Sequence, residues 1–271
     1  MQGVDGRFKP VGTLAQELTR KLFGSNHYQN MSSEEFWLKI LIDPAGWEQK
    51  SLFDVQHTAI ASRLGAPSTK VSFAHFFRNN QYILGDWVNE VVTKKPNGRS
   101  GLEKDLLKLD EQLNVFYMAY TGQLLRLYPI PGQPESKWLD VKAGGSGLSL
   151  EDSTFVHTAF NQYLLALTDN SYANAALWRE AIGTYQMNYG GELLPSGSKA
   201  KLEILYNRLL VFERLTIVYA MLGIILLILQ FMAMFKPAKW YRPVNRTLSI
   251  IFIIGFVLHT VGLGIRWYVS G

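Results

Sequence analysis

The chain has no cysteine among its 271 residues. That excludes disulfides, thiol redox chemistry and thiolate-held metal from this stretch of polypeptide. It also lacks HExxH, GxSxG, GxxxxGK[ST] and a GxGxxG following a strand. The zinc-hydrolase, serine-hydrolase, P-loop and dinucleotide readings therefore have no residues to stand on. Five histidines, His27, His57, His75, His157 and His259, are scattered without an i to i+4 pair, so no metal site is predicted. Met1 to Thr13, MQGVDGRFKPVGT, offers neither the basic n-region nor the apolar h-region of a signal peptide.

Charge is missing from two long runs. Leu215 to Phe235 reads LTIVYAMLGIILLILQFMAMF, 21 positions, and Thr247 to Ile265 reads TLSIIFIIGFVLHTVGLGI, 19 positions, without one ionised group. A bilayer core of about 30 Å takes roughly 20 apolar residues at 1.5 Å rise, so both runs read as membrane spans, about 215–235 and 247–267. The loop between them, 236–246, carries Lys236, Lys239, Arg242 and Arg246 and no acid, which places it in the cytoplasm by the positive-inside rule. Residues 1–211 are then extracytoplasmic and 212–271 form a transmembrane hairpin. Export of the first part without a signal peptide implies an internal piece of a longer membrane protein, with further spans upstream.

Of the 27 Lys and Arg, six lie beyond residue 211 against one acid there, Glu213; the remaining 21 bases face 21 acids. The sequence pI near 9.2 thus reports the membrane end, and no basic patch is left for nucleic acid.

The polar part carries helical periodicity and thin strand signals. Leu14, Leu18 and Leu22 mark a helix over Val11 to Phe23. Ser32 and Glu35 form a capping box for Glu34 to Ile42, which Asp43-Pro44 stops. One or two short helices are expected over Val71 to Lys95, and a long one over Gly101 to Leu127, where leucines and aromatics recur at steps of three and four. Pro129 to Leu150, with Gly144-Gly145 and Gly147, reads as an irregular connector. Helices over Leu150 to Leu167 and Tyr172 to Tyr189 form a hairpin, and from Pro195 no breaker interrupts the chain before Phe235. The fold class is mainly α.

Several groups could carry chemistry. Asp105, Asp110 and Glu111 stand among Lys104 and Lys108, the pattern of a solvated helix face, with paired carboxylates as the rarer meaning. Tyr117, Tyr120 and Arg126 mix polar groups into an apolar helix face. The turn Gly6 to Pro10 could hold an anion through Arg7 and Lys9, although an exposed basic turn is the commoner meaning. His259 differs in kind, because an imidazole inside an apolar span costs a few kcal/mol unless partnered. Gly255, Gly262 and Gly264 around it leave room for a neighbouring helix. Cofactor ligation, a hydrogen bond to another span and an interfacial position are all open to it. Arg266, Trp267 and Tyr268 form an interfacial anchor.

Five segments, in order along the chain, carry a resemblance: GRFKPVGTLAQELTRKL at Gly6 to Leu22, FYMAYTGQLLRLYPIPG at Phe116 to Gly132, EDSTFV at Glu151 to Val156, KLEILYNRLLVFERL at Lys201 to Leu215, and LHTVGLGIRWYVSG at Leu258 to Gly271. Together they resemble the CcsA/ResC-type cytochrome c biogenesis proteins, most closely the long form in which a ResB-like half precedes the CcsA half. The resemblance implies a system II cytochrome c synthetase of the bacterial inner membrane. Such a protein moves haem outward and helps attach it to the CXXCH thiols of apocytochrome c. It implies haem as cofactor, and as partners apocytochrome c and a ResB-like part in the same or another chain. The family's tryptophan-rich haem-binding segment has no counterpart here, so no catalytic residue transfers and enzymatic activity of this piece stays open. His259 lies at a recurring LHT position and is the one candidate cofactor-binding residue. The alternative is a non-enzymatic, membrane-anchored helical binding module.

Overall fold

The computed structural model describes residues 1–66, 69–143, 147–236 and 238–270. Two compact units make up the chain, Met1–Leu194 and Pro195–Gly271. The protein is mainly α, and two apolar helices at its C-terminal end are long enough to cross a membrane.

The first unit begins with α1 (Val11–Phe23), which buries Ala15, Leu18, Thr19 and Leu22 along one stripe. It stops at Gly24, whose φ of 69° lets its N–H close back on the Arg20 carbonyl. A hairpin of β1 (His27–Tyr28) and β2 (Met31–Ser32) leads into α2 (Ser33–Ile42). Ser32 caps α2 by accepting from the Glu35 N–H at 3.1 Å, while the Glu35 carboxylate turns to Lys39 at 2.8 Å. Asp43 ends α2 and Pro44 opens the short α3 (Pro44–Glu48), so the predicted stop is also a restart.

Strands β3 (Ser51–Asp54) and β4 (Lys70–Ser72) pair antiparallel around α4 (Thr58–Leu64). A 3₁₀ turn, Phe73–Phe76, is followed by β5 (Phe77–Arg78), β6 (Gln81–Tyr82) and α5 (Gly85–Thr93). Asn79 and Asn80 have φ of 51° and 60°, the pair of left-handed residues that a two-residue hairpin turn needs. The stretch from Val71 to Lys95 therefore holds one α-helix and a hairpin where one or two short helices are expected.

The central helix is α6 (Gly101–Tyr120), which buries Leu106, Leu109, Leu113, Phe116 and Ala119 against α1, α2 and α5. It ends before the expected Leu127. The chain turns at Gly122 (φ 80°), and Arg126–Tyr128 form β7, paired with β8 (Leu139–Asp140) from within the connector. Gly144 and Gly145 of that connector lie outside the described residues. Helices α7 (Leu150–Thr168) and α8 (Tyr172–Gly190) form the expected antiparallel hairpin, turning at Asn170 with φ 55°. One hydrophobic core runs through the unit, from Phe36, Phe53 and Phe76 to Phe116 and Tyr128.

The second unit starts ahead of the apolar run, with α9 (Gly197–Leu209). The stretch expected to be unbroken from Pro195 to Phe235 is interrupted at Leu210, whose φ of 48° and ψ of 44° are left-handed. Beyond it run α10 (Val211–Phe235) and α11 (Tyr241–Ser270), of 25 and 30 residues. Their apolar side chains face outward: Ile217, Ile224, Ile253 and Phe256 are each more than half exposed. A core helix of a water-soluble protein would bury such residues, whereas these two leave them outward and are long and apolar enough to cross a bilayer.

Candidate functional site

Helices α10 and α11 pack along a seam set by two glycines. A Cβ on Gly255 would stand 3.0 Å from Cε1 of Tyr219, and one on Gly262 would stand 3.4 Å from Val211 and 3.5 Å from Phe212. Glycine at both positions lets the helices approach closely, as small residues do in membrane helix pairs. His259 lies between them on the same face, one turn from each. Its ring meets Phe212 edge to face at 4.9 Å between centroids and lies 6.3 Å from Tyr219. Gly264, by contrast, has nothing within 4 Å and takes no part in the seam.

Among the described residues, no hydrogen bond reaches the His259 imidazole, and the buried Tyr219 hydroxyl has no partner. The hairpin thus holds an uncommitted imidazole and an uncommitted phenol on one seam. Phe212 and Tyr219, seven residues apart, were not singled out from the sequence. Their spacing of two helical turns, matching that of Gly255 and Gly262, is the signal that finds them.

The other sequence candidates are dispersed. His27 meets Ser25 Oγ at 3.0 Å, His75 meets Ser72 Oγ at 2.8 Å, and His157 meets the Ser153 carbonyl at 2.7 Å. His57 Nε2 lies 2.8 Å from Asp105. Asp110 accepts from Tyr82 at 2.9 Å and from Asn114 at 3.1 Å, and Glu111 pairs with Lys21. The three acids of α6 therefore each meet different partners, four in all, and make no catalytic pair with one another. Burial, reinforced by Asp110, pushes the Tyr82 phenol well above its usual range. Among the described residues no three His, Asp or Glu side chains gather in a way that could hold a metal ion.

The turn at Gly6 to Pro10 is not an open anion site. Lys9 is buried between Asp5 and Glu17, each at 2.9 Å. Burial lowers its pKa, but the hydrogen bonds and charges of the two carboxylates outweigh that effect and raise it. Tyr117 and Tyr120 join an aromatic cluster with Phe73 and Phe116. Arg126 is not on their helix: it lies on β7, where its Nη1 donates to the Gly3 carbonyl at 3.2 Å.

No family model matches the chain. The chain is similar along its whole length to Protein NrfI of Wolinella succinogenes, with 34% identity over 273 residues. It spans 30% of the length of that curated relative.

Proposed function

We propose that the chain is part of a membrane protein of cytochrome c biogenesis of the CcsA/ResC type, in the long form that joins a ResB-like half to a CcsA half. In this reading residues 1–211 form an extracytoplasmic helical domain, and residues 212–271 supply the first hairpin of the half that handles haem. The segment 236–246, in which residues 241–246 already belong to α11, faces the cytoplasm of the bacterial inner membrane. The whole protein delivers haem across the membrane and attaches it to apocytochrome c.

The observation that carries this reading is the set of five ordered motifs. It is supported by likeness, over the entire chain, to a relative more than three times as long. Two exposed apolar helices agree with a membrane setting. His259 is compatible with a haem-contacting role in one physical respect, since its ring is held by aromatic packing and no hydrogen bond from the described residues occupies its nitrogens. Haem, when bound, supplies the prosthetic group that apocytochrome receives, and a neutral imidazole is a common ligand to its iron. This chain's contribution is to hold that imidazole between two spans.

Disruption of the gene in the source organism tests the reading. Haem-stained gels and the α-band absorbance of membranes should show loss of covalently attached c-type haem, with apocytochrome still made. Undiminished holocytochrome c in the disrupted strain would overturn the proposal and leave the membrane-anchored binding module.

A further inference from the structure

Helix α8 carries a glycine in its middle that the protein's own atoms do not require. A Cβ added at Gly183 meets nothing within 4 Å, and glycine is the poorest helix former after proline. What Gly183 keeps open is a cleft of about 480 Å³ in the first unit, bounded by α2, β7, α7 and α8. Its walls include Trp37, Leu41, Leu127, Phe160 and Ile182, and of these Trp37, Leu127, Phe160 and Ile182 are buried. Folded interiors leave few voids larger than a water molecule, whereas small-molecule sites are apolar clefts of this size with a few polar groups.

Two charged residues line the cleft. The Glu34 carboxylate is accounted for: it lies over Gly12, 2.7 Å from where a Cβ would be, in the first turn of α1, where Pro10 provides no side-chain cap. That end of a helix favours negative charge. Arg179, one turn before Gly183, has no such partner among the described residues. Gln186, one turn after, is held by donating to the Leu127 carbonyl at 2.9 Å.

We propose that this cleft binds an apolar molecule that ends in a carboxylate or phosphate, its body against Gly183 and its anionic end on Arg179. The site goes beyond cytochrome c biogenesis and stands whether or not that reading holds.

The full chain in lipid nanodiscs is labelled with a diazirine analogue of palmitic acid, and the labelled peptides are mapped by mass spectrometry. Label should concentrate on the α2 and α8 peptides. Gly183→Leu, which fills the cleft and removes a helix glycine, should cut that labelling at least tenfold with Tm held or raised. Arg179→Gln should weaken competition by palmitate about tenfold, the effect of losing one charge-assisted hydrogen bond, and leave competition by hexadecanol unchanged. Displacement by palmitate alone identifies a free carboxylate as the ligand, and displacement by phosphatidylglycerol as well identifies a lipid phosphate. Label without enrichment at the cleft, labelling that survives Gly183→Leu, or equal competition by hexadecanol and palmitate would each overturn the proposal.

Discussion

The rings of His259 and Phe212 pack T-shaped across the α10–α11 seam, with 4.9 Å between centroids and 65° between planes. An imidazole placed there is shielded on one side and keeps its nitrogens for another partner. In the full-length protein, His259→Ala should lower the haem retained on purification and reduce holocytochrome c, with the amount of protein unchanged. Added imidazole should partly restore both if the ring serves as an axial ligand, because it can enter the vacated position. A packing defect would not respond. Unchanged haem and unchanged maturation would reduce His259 to a packed interfacial residue.

The proposed sidedness rests on the four cations of the segment 236–246, Lys236 and Lys239 before α11 and Arg242 and Arg246 in its first turns. No cysteine among these 271 residues competes with one introduced into them. In intact cells a cysteine at Lys239 should be protected from an impermeant maleimide, and one at the exposed Leu150, in the same unit as Leu127, should react. The same reading puts Gly271, outside the described residues, on the outer face. Labelling of position 239 from outside would invert the topology and remove much of the functional argument.

The N-terminus of α6 is closed reciprocally. Ser100 Oγ accepts from the Glu103 N–H at 3.2 Å, and Glu103 Oε2 accepts from the Ser100 N–H at 2.8 Å. Lys94 adds a 2.6 Å contact to the same carboxylate. Hydrogen bonds from Lys94, first, and then from the Ser100 backbone bring the Glu103 pKa from 4.5 to about 2. A depressed carboxylate stabilises the fold above its unfolded pKa, and that contribution fades as pH falls from 4.5 toward 2. Urea melts should therefore show Ser100→Ala less stable by about 1 kcal/mol at neutral pH. The stability gap between the native protein and Glu103→Gln should shrink over that acid interval.

Two glycines of α8 predict opposite signs for one substitution. A Cβ on Gly190 would lie 2.9 Å from Cζ2 of Trp138, a ring that is 1% exposed and held by its Nε1–H to the Pro134 carbonyl. Gly190→Ala should destabilise by about 1–3 kcal/mol through overpacking. Gly183→Ala should stabilise by up to about 1 kcal/mol through helix propensity. Thermal melts followed by circular dichroism separate the two.

Residues 1–211 expressed alone should be soluble, largely helical by circular dichroism, and free of stoichiometric haem. Tight haem binding that depends on His27, His57, His75 or His157 would move the cofactor chemistry out of the membrane hairpin.

What could be read from the sequence depended on how far an interaction reaches along the chain. Helix α1 and the α7–α8 hairpin rest on periodicity, and their limits agree closely with expectation. The two apolar helices are found where hydrophobicity is unbroken but start earlier than the expected spans, at Val211 and Tyr241, because charged Glu213, Arg214, Arg242 and Arg246 continue the helix beyond the apolar run. Periodicity alone carries α6 too far, because Leu124 and Leu127 keep a helical step after Tyr120. Three residues of a strand cannot be told from one turn of helix by period, and Gly122 was the overlooked stop. The paired strands are two to four residues long, below the reach of an alternation signal. Ser100 with Glu103 is a legible capping signal that went unused. Contacts such as His57 with Asp105, or Arg126 with Gly3, join residues 48 and 123 positions apart and leave no local mark.

The first strand-like residues tie the chain to segments made much later. Gln2 donates its N–H to the Arg126 carbonyl at 3.1 Å, and its side-chain oxygen accepts from the Trp138 N–H at 2.8 Å. Closing so long a loop is entropically costly, and contacts of such sequence separation slow folding. The Trp138 partner stands 136 residues further along the chain, so this contact cannot form until that much of the polypeptide has been made. A segment held by such distant partners is expected to dock late, and variants that weaken it should then speed unfolding more than they slow folding.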